Sequence, residues 1–161
     1  MQLEIFTTGG TIDKVYFDSK SSFEVGEPQI VEVLREANLS VDYRVTSLMR
    51  KDSLDLTDED RAIIRQAAQN SNAAQVVITH GTDTMIDTAK ALAGIADKTI
   101  VLTGAMQPAR FRLTDAVFNI ASAMMAAQTL PHGAYIAMNG QIFDPQASRK
   151  NVALNRFEKT G

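Results

Sequence analysis

A chain of 161 residues, 45% hydrophobic and 22% charged, has the size and balance of one folded domain with a real core and is not that of a disordered segment. Its 16 basic residues are scattered against 19 acidic ones for a net charge of −3, which leaves no basic footprint for nucleic acid, and no apolar run is long enough to span a membrane. The chain has no cysteine, which excludes disulfides, thiolate chemistry and iron–sulfur clusters, and its two histidines, His80 and His132, sit in no zinc spacing.

The N-terminus enters alternating strand residues at once, with no basic region and apolar stretch of a secretory signal, so a cytoplasmic location is expected. Leu3, Ile5 and Phe6 begin a strand over residues 2–7 that runs into Thr8-Gly9-Gly10-Thr11-Ile12-Asp13. Two glycines after a strand permit a sharp turn and close backbone approach to a ligand. The spacing is neither the dinucleotide fingerprint nor a P-loop. Residues 14–27 show no sustained period and read as a long irregular loop, the usual form of a lid or binding loop or of a disordered stretch. Pro28 then suits the first turn of a helix whose core face is Ile30, Val31, Leu34 and Ala37.

A second strand is expected over residues 43–48, opening into the loop Met49–Leu56. Thr57 and Asp60 have the spacing of a capping box for a helix that reaches Gln69. The central stretch follows. Val76, Val77 and Ile78 form a β-branched run that reads as a buried parallel strand, and it stops at Thr79-His80-Gly81-Thr82-Asp83. Met85, Ile86, Ala89 and Leu92 then recur at helical spacing. A fourth strand, Thr99–Leu102, ends at Thr103-Gly104-Ala105-Met106-Gln107-Pro108. The next helix carries Val117, Ile120, Ala121, Met124 and Ala127 on its core face. Residues 133–138 form a fifth strand, Asn139-Gly140 a hairpin turn, and residues 141–143 a short returning strand.

Strands alternating with helices predict an α/β fold, a mainly parallel sheet with helices on both faces. In that architecture the loops after strands one to four meet at one edge of the sheet, where ligands bind. They bring Thr8, Thr11, Asp52, Ser53, Thr82, Asp83 and Gly104 to one cleft. Its hydroxyls can hydrogen-bond a small polar ligand or serve as nucleophiles beside a base. Asp83 can hold a ligand ammonium while exposed backbone donors hold a carboxylate, which fits a small amino acid. On residue type alone Thr82 is equally an N-cap, with Asp83 in the first helical turn, and His80 a strand-end hydrogen bonder.

Thr8-Gly9-Gly10-Thr11-Ile12 and His80-Gly81-Thr82-Asp83-Thr84-Met85 resemble the two signature segments of the L-asparaginase and glutaminase family. Gly104-Ala105-Met106-Gln107-Pro108 resembles its third block. The resemblance covers essentially the whole chain and matches the family's N-terminal domain. It implies a three-layer α/β/α sandwich of flavodoxin-like or Rossmann-like topology, one such domain over residues 1–161 and no C-terminal domain.

It also implies an amidohydrolase that converts the side-chain amide of asparagine, or a related small amide, to acid and ammonia, without a cofactor or metal. Catalytic roles fall on Thr11, Thr82, Asp83 and Lys150. Substrate binding falls on Gly10, Asp52, Ser53, Gly81, Asp83 and Ala105. The family's loop tyrosine falls near Phe23, with Tyr16 a neighbouring phenol. The expected partners are a small amide or amino acid and a second copy of the chain, in a dimer packed through the helix over residues 115–128. Phe23 and Leu54, where the family carries more polar residues, motivate a second reading: a non-catalytic protein that binds or senses a small amino acid.

Overall fold

The computed structural model describes residues 1–161. In chain order the strands are β1 (Gln2–Gly9), β2 (Lys14–Phe17), β3 (Ser22–Val25), β4 (Asp42–Lys51), β5 (Gln75–Thr79), β6 (Thr99–Thr103), β7 (Gly133–Met138), β8 (Gln141–Phe143), β9 (Ser148–Asn151) and β10 (Arg156–Lys159). The helices are α1 (Ile30–Glu36), α2 (Asp58–Asn70), α3 (Met85–Ala91) and α4 (Ala116–Thr129). One sheet has the order β4-β1-β5-β6-β7-β8, parallel except for the edge strand β8, which returns antiparallel on β7.

The central strands β1, β5 and β6 bury both faces, as the middle of a parallel sheet requires. Leu3, Ile5, Val77 and Val101 pack with Leu34, Ile120 and Met124 in one layer. Phe6, Val76, Ile78, Ile100 and Leu102 pack with Ile64, Ala68, Met85 and Leu92 in the other. The result is the three-layer α/β/α sandwich. Glu4 is buried on β1, and the guanidinium of Arg44 on the neighbouring strand donates to it at 3.1 Å, which satisfies the carboxylate. From β1 the chain crosses to β4 on one side and then to β5 on the other. The carboxyl ends of β1 and β5 therefore form the switch point where this topology opens a crevice.

Thr57 and Asp60 make the expected reciprocal capping box on α2. Five expectations need correction. Residues 14–27 are an antiparallel hairpin, β2 on β3, whose four-residue strands are too short to display a period. It is held by Tyr16 against Phe23, with ring centroids 5.3 Å apart. The second sheet strand runs on to Lys51, beyond the expected loop boundary. Pro28 precedes the N-cap Gln29 and lies outside the first turn. Val117 is 55% exposed and Ala121 is exposed with it, while Ala116, Ile120 and Met124 carry the core face of α4. Ala37, just past the end of α1, is exposed as well. The tail adds a second hairpin, β9 on β10, docked through Phe157, which is buried 6.1 Å from Phe143.

Candidate active site

The loops after β1, β4 and β5 meet backbone to backbone. Gly10 has φ +89° and ψ −177°, a conformation that side chains other than glycine rarely adopt. A Cβ placed on it would lie 2.5 Å from the Cα and N of Gly81. A Cβ on Gly81 would lie 2.5 Å from the Cβ of Ser53. The glycines therefore let three loops close into one cluster, and Thr11 and Thr82 leave it from adjacent positions in the chain. The Gly10 N–H donates to Lys51 O at 2.9 Å, tying the first loop to the end of β4.

Thr11 opens a one-turn 3-10 helix over Thr11–Asp13 and is partly exposed. Thr82 is not a helix cap. Helix α3 starts three residues later, after Thr84, whose hydroxyl donates instead to Ser53 O at 2.8 Å. The Thr82 hydroxyl accepts a hydrogen bond from Lys150 Nζ at 2.8 Å. The same ammonium donates to Asp83 Oδ1 at 2.6 Å. The Lys150 side chain is 14% exposed and that of Asp83 41%. Lys150 comes from β9, and docking of Phe157 on Phe143 fixes that hairpin against the sheet. Thus the structure brings Lys150 onto the adjacent Thr82 and Asp83, which precede it in the chain by 68 and 67 residues.

The backbone donors divide sharply. The N–H groups of Gly81, Thr82 and Asp83 have no protein acceptor, while that of Gly10 is taken by Lys51. Thr82 rather than Gly10 is therefore equipped to meet an oxyanion. Ser53 is 1% exposed, and its hydroxyl is buried without a partner beside Gly81. Asp52 caps the short helix Ser53–Asp55. Partial burial pushes its carboxyl up, but the Leu54 N–H and the Lys14 ammonium, 3.2 Å away, outweigh this and hold it below the usual carboxylate range. Sequence reasoning misses Lys14; the one signal there is a lysine shortly after the Gly-Gly turn. Ala105 points its methyl into the α1–α4 core and offers the site its backbone alone.

Tyr16 and Phe23 face each other across the β2–β3 hairpin, and Phe23 also meets Phe111 edge-on at 5.7 Å. His80 is fully buried between Gly81 O, 2.6 Å from Nδ1, and Thr88 Oγ1, 2.8 Å from Nε2. Burial pushes its pKa down to about 4, so it stays neutral and acts as a strut beneath the loop. No three His, Asp or Glu side chains converge in metal-ligand geometry. An apolar groove of ≈310 Å³ lies between α1 and α4, lined by residues such as Val33, Leu39, Ile120 and Met124, away from the carboxyl ends of the strands.

Comparison with known proteins fits this geometry. The family model described as asparaginase, N-terminal, matches residues 2–158. A probable periplasmic L-asparaginase of Haemophilus influenzae is 31% identical over 151 residues, covering 87% of this chain and 43% of the relative. A glutaminase-asparaginase of Acinetobacter glutaminasificans is 32% identical over 114 residues, covering 68% of this chain and 33% of the relative. Among solved structures, the thermostable L-asparaginase of Thermococcus kodakarensis superposes with a TM-score of 0.83 at 26% identity, covering 99% of this chain and 51% of its own. The chain therefore spans about half the length, or less, of these relatives.

Proposed function

Because the chain belongs to the asparaginase family through its N-terminal domain, we propose that it contributes the catalytic half of an amidohydrolase acting on the side-chain amide of asparagine or a related small amide. The observation that carries this reading is Lys150 Nζ bound at once to Thr82 and Asp83, in the turn whose Gly81 packs against Gly10, the residue before Thr11. An isolated surface lysine has no such pair of partners.

In this reading the Thr11 hydroxyl attacks the amide carbon. The developing oxyanion is met by the unpaired Thr82 N–H. The C–N bond breaks, the proton of the Thr11 hydroxyl passes to the amide nitrogen, which leaves as ammonia, and an ester on Thr11 remains. Water adds to the ester carbon and passes a proton through the Thr82 hydroxyl and the Lys150 amine to the Thr11 oxygen, the ester C–O bond breaks, and acid and free Thr11 are released. Asp83, less buried than Lys150, orients the lysine and binds the substrate ammonium. Asp52, kept ionised beside Lys14, and Ser53, with its free buried hydroxyl, hold the rest of the substrate. Tyr16 is the phenol nearest the hairpin position held by Phe23.

Closure of the site by a second copy belongs to the same reading, as does a cytoplasmic location. The exposed apolar side chains Val117, Phe118 and Met125 of α4 support the dimer. The alternative, an amino-acid binder without turnover, draws on Phe23, which supplies no hydroxyl and whose ring is packed between Tyr16 and Phe111, and on the apolar, exposed Leu54 beside Ser53. Ammonia release from asparagine, glutamine and related amides, with wild type beside Thr11→Ala, decides between them. Release that depends on Thr11 supports the enzyme. Amino-acid binding that depends on Asp83, with no release, favours the binder.

A further inference from the structure

Two residues after Thr11 lies an acid that the chemistry above does not use. Asp13 closes the same one-turn helix and is 1% exposed. Its Oδ1 accepts the Gln29 N–H at 2.9 Å, at the entry to α1. Its backbone is tied as well: Gly26 N–H donates to Asp13 O at 2.9 Å, and Ala109 N–H donates to the adjacent Ile12 O at 3.0 Å. The turn carrying Thr11 is thus joined to the end of the β2–β3 hairpin, to α1 and to the loop after β6, and the Asp13 carboxyl is the one ionisable group in those ties.

The cations around it are committed elsewhere. Arg50 of β4 is paired with Glu27 at 2.7 Å, and Lys14 with Asp52 at 3.2 Å. Arg110, from the loop after β6, donates to the Gln29 side-chain carbonyl at 2.9 Å. No ion pair reaches Asp13, and its side chain has one hydrogen-bond donor, a backbone amide.

We propose that Asp13 is a positioning residue for Thr11: its carboxylate, held by the Gln29 N–H, locks the turn that presents the Thr11 hydroxyl, and loss of its charge loosens that turn. A carboxylate is a stronger acceptor than a neutral acid, so the ionised form makes the tighter tie. Burial pushes the Asp13 pKa up to about 7, against the opposing Gln29 N–H and the more distant Arg50 charge. The tie therefore changes strength near neutral pH, where a carboxyl of ordinary pKa does not titrate. This inference rests on the reading of Thr11 as nucleophile.

The test compares wild type with Asp13→Asn, which keeps the shape and a carbonyl acceptor but not the charge. In wild type, kcat/KM for amide hydrolysis is expected to fall about tenfold per pH unit below about pH 7, mostly in kcat. In Asp13→Asn that limb is expected to vanish. A variant that keeps the limb overturns the proposal. Wild type alone provides a second readout that needs neither turnover nor a folded variant. The Asp13 carboxyl carbon and the Thr11 amide are followed together by NMR from about pH 5 to about pH 9. Both are expected to titrate with a common midpoint, and a Thr11 amide that ignores the Asp13 titration overturns the proposal. Ammonia release unaffected by Thr11→Ala would instead defeat the nucleophile assignment, an outcome separable from the NMR result.

Discussion

Replacing Gly10 with alanine isolates the contact on which the whole cluster depends. Two penalties add. The backbone at φ +89° and ψ −177° is in a region essentially reserved for glycine, which costs a larger residue about 1–3 kcal/mol. The new methyl would also stand 2.5 Å from the Cα and N of Gly81, and overpacking of that kind costs a further ~1–3 kcal/mol because backbone, not a flexible side chain, must move. The sum, about 2–6 kcal/mol, is a large part of the stability of an ordinary domain. Gly94→Ala is the control. Its φ is +79°, but a methyl there meets nothing within 4 Å, so it bears backbone strain alone, about 1–2 kcal/mol. Urea unfolding followed by circular dichroism reads the difference. With a slope of about 2 kcal/mol/M, the Gly10 midpoint is expected to fall ~1–3 M below wild type, and the Gly94 midpoint less than ~1 M. A Gly10→Ala protein at least as stable as Gly94→Ala would refute the claim that the two signature loops hold each other by direct backbone contact.

Two buried ionisable groups predict opposed pH dependences. Asp13 has its pKa raised from 3.8 to about 7, so the folded state binds the extra proton; this stability is full below about pH 4 and is lost as pH rises to about 7, by at most ~4 kcal/mol. His80 has its pKa lowered from 6.5 to about 4, so its contribution is full above about pH 6.5 and is lost as pH falls to about 4, by at most ~3 kcal/mol. Thermal melts should therefore be nearly flat with pH across that window in wild type. Asp13→Asn should lose stability on acidification and His80→Gln on raising the pH, and parallel curves for all three would contradict the assignment. Lys150→Met should lower kcat by about 10²–10⁴-fold while changing unfolding free energy by less than ~1 kcal/mol, since Asp83 keeps contact with water. Equal loss of stability and activity would make Lys150 a structural residue. For the proposed dimer through α4, light scattering should give a dimer mass for wild type and a monomer mass for Phe118→Asp, and an equal mass for both would contradict that interface.

Much of the fold was legible because its strands are β-branched runs that stop abruptly at glycine and threonine, as at Val76-Val77-Ile78 before Thr79. The Thr57–Asp60 box and the Asn139-Gly140 turn were readable for the same reason: each is complete within a few residues. The two small hairpins were not. Tyr16 with Phe23, and Phe157 with Phe143, stabilise them by contacts across the chain that leave no local period. Thr82 shows the limit most plainly. Locally it is a good helix cap; the partner that draws its hydroxyl away is Lys150, 68 residues distant. Asp13 gave no signal, because an acid shortly beyond a glycine turn reads as surface, and its burial depends on α1 and the hairpin closing over it. The family resemblance pointed to Lys150 and the loop residues; the geometry separated Thr82, with its free N–H, from Gly10, whose N–H is already bound.

The most direct test of the central claim is quenched-reaction mass spectrometry of the protein turning over an asparagine-like amide, with peptide mapping of any ester formed. An acyl group is expected on Thr11, absent in Thr11→Ala and longer-lived in Lys150→Met, where deacylation lacks its proton relay. Ammonia release with the acyl group on Thr82, or with none on any threonine, would contradict it.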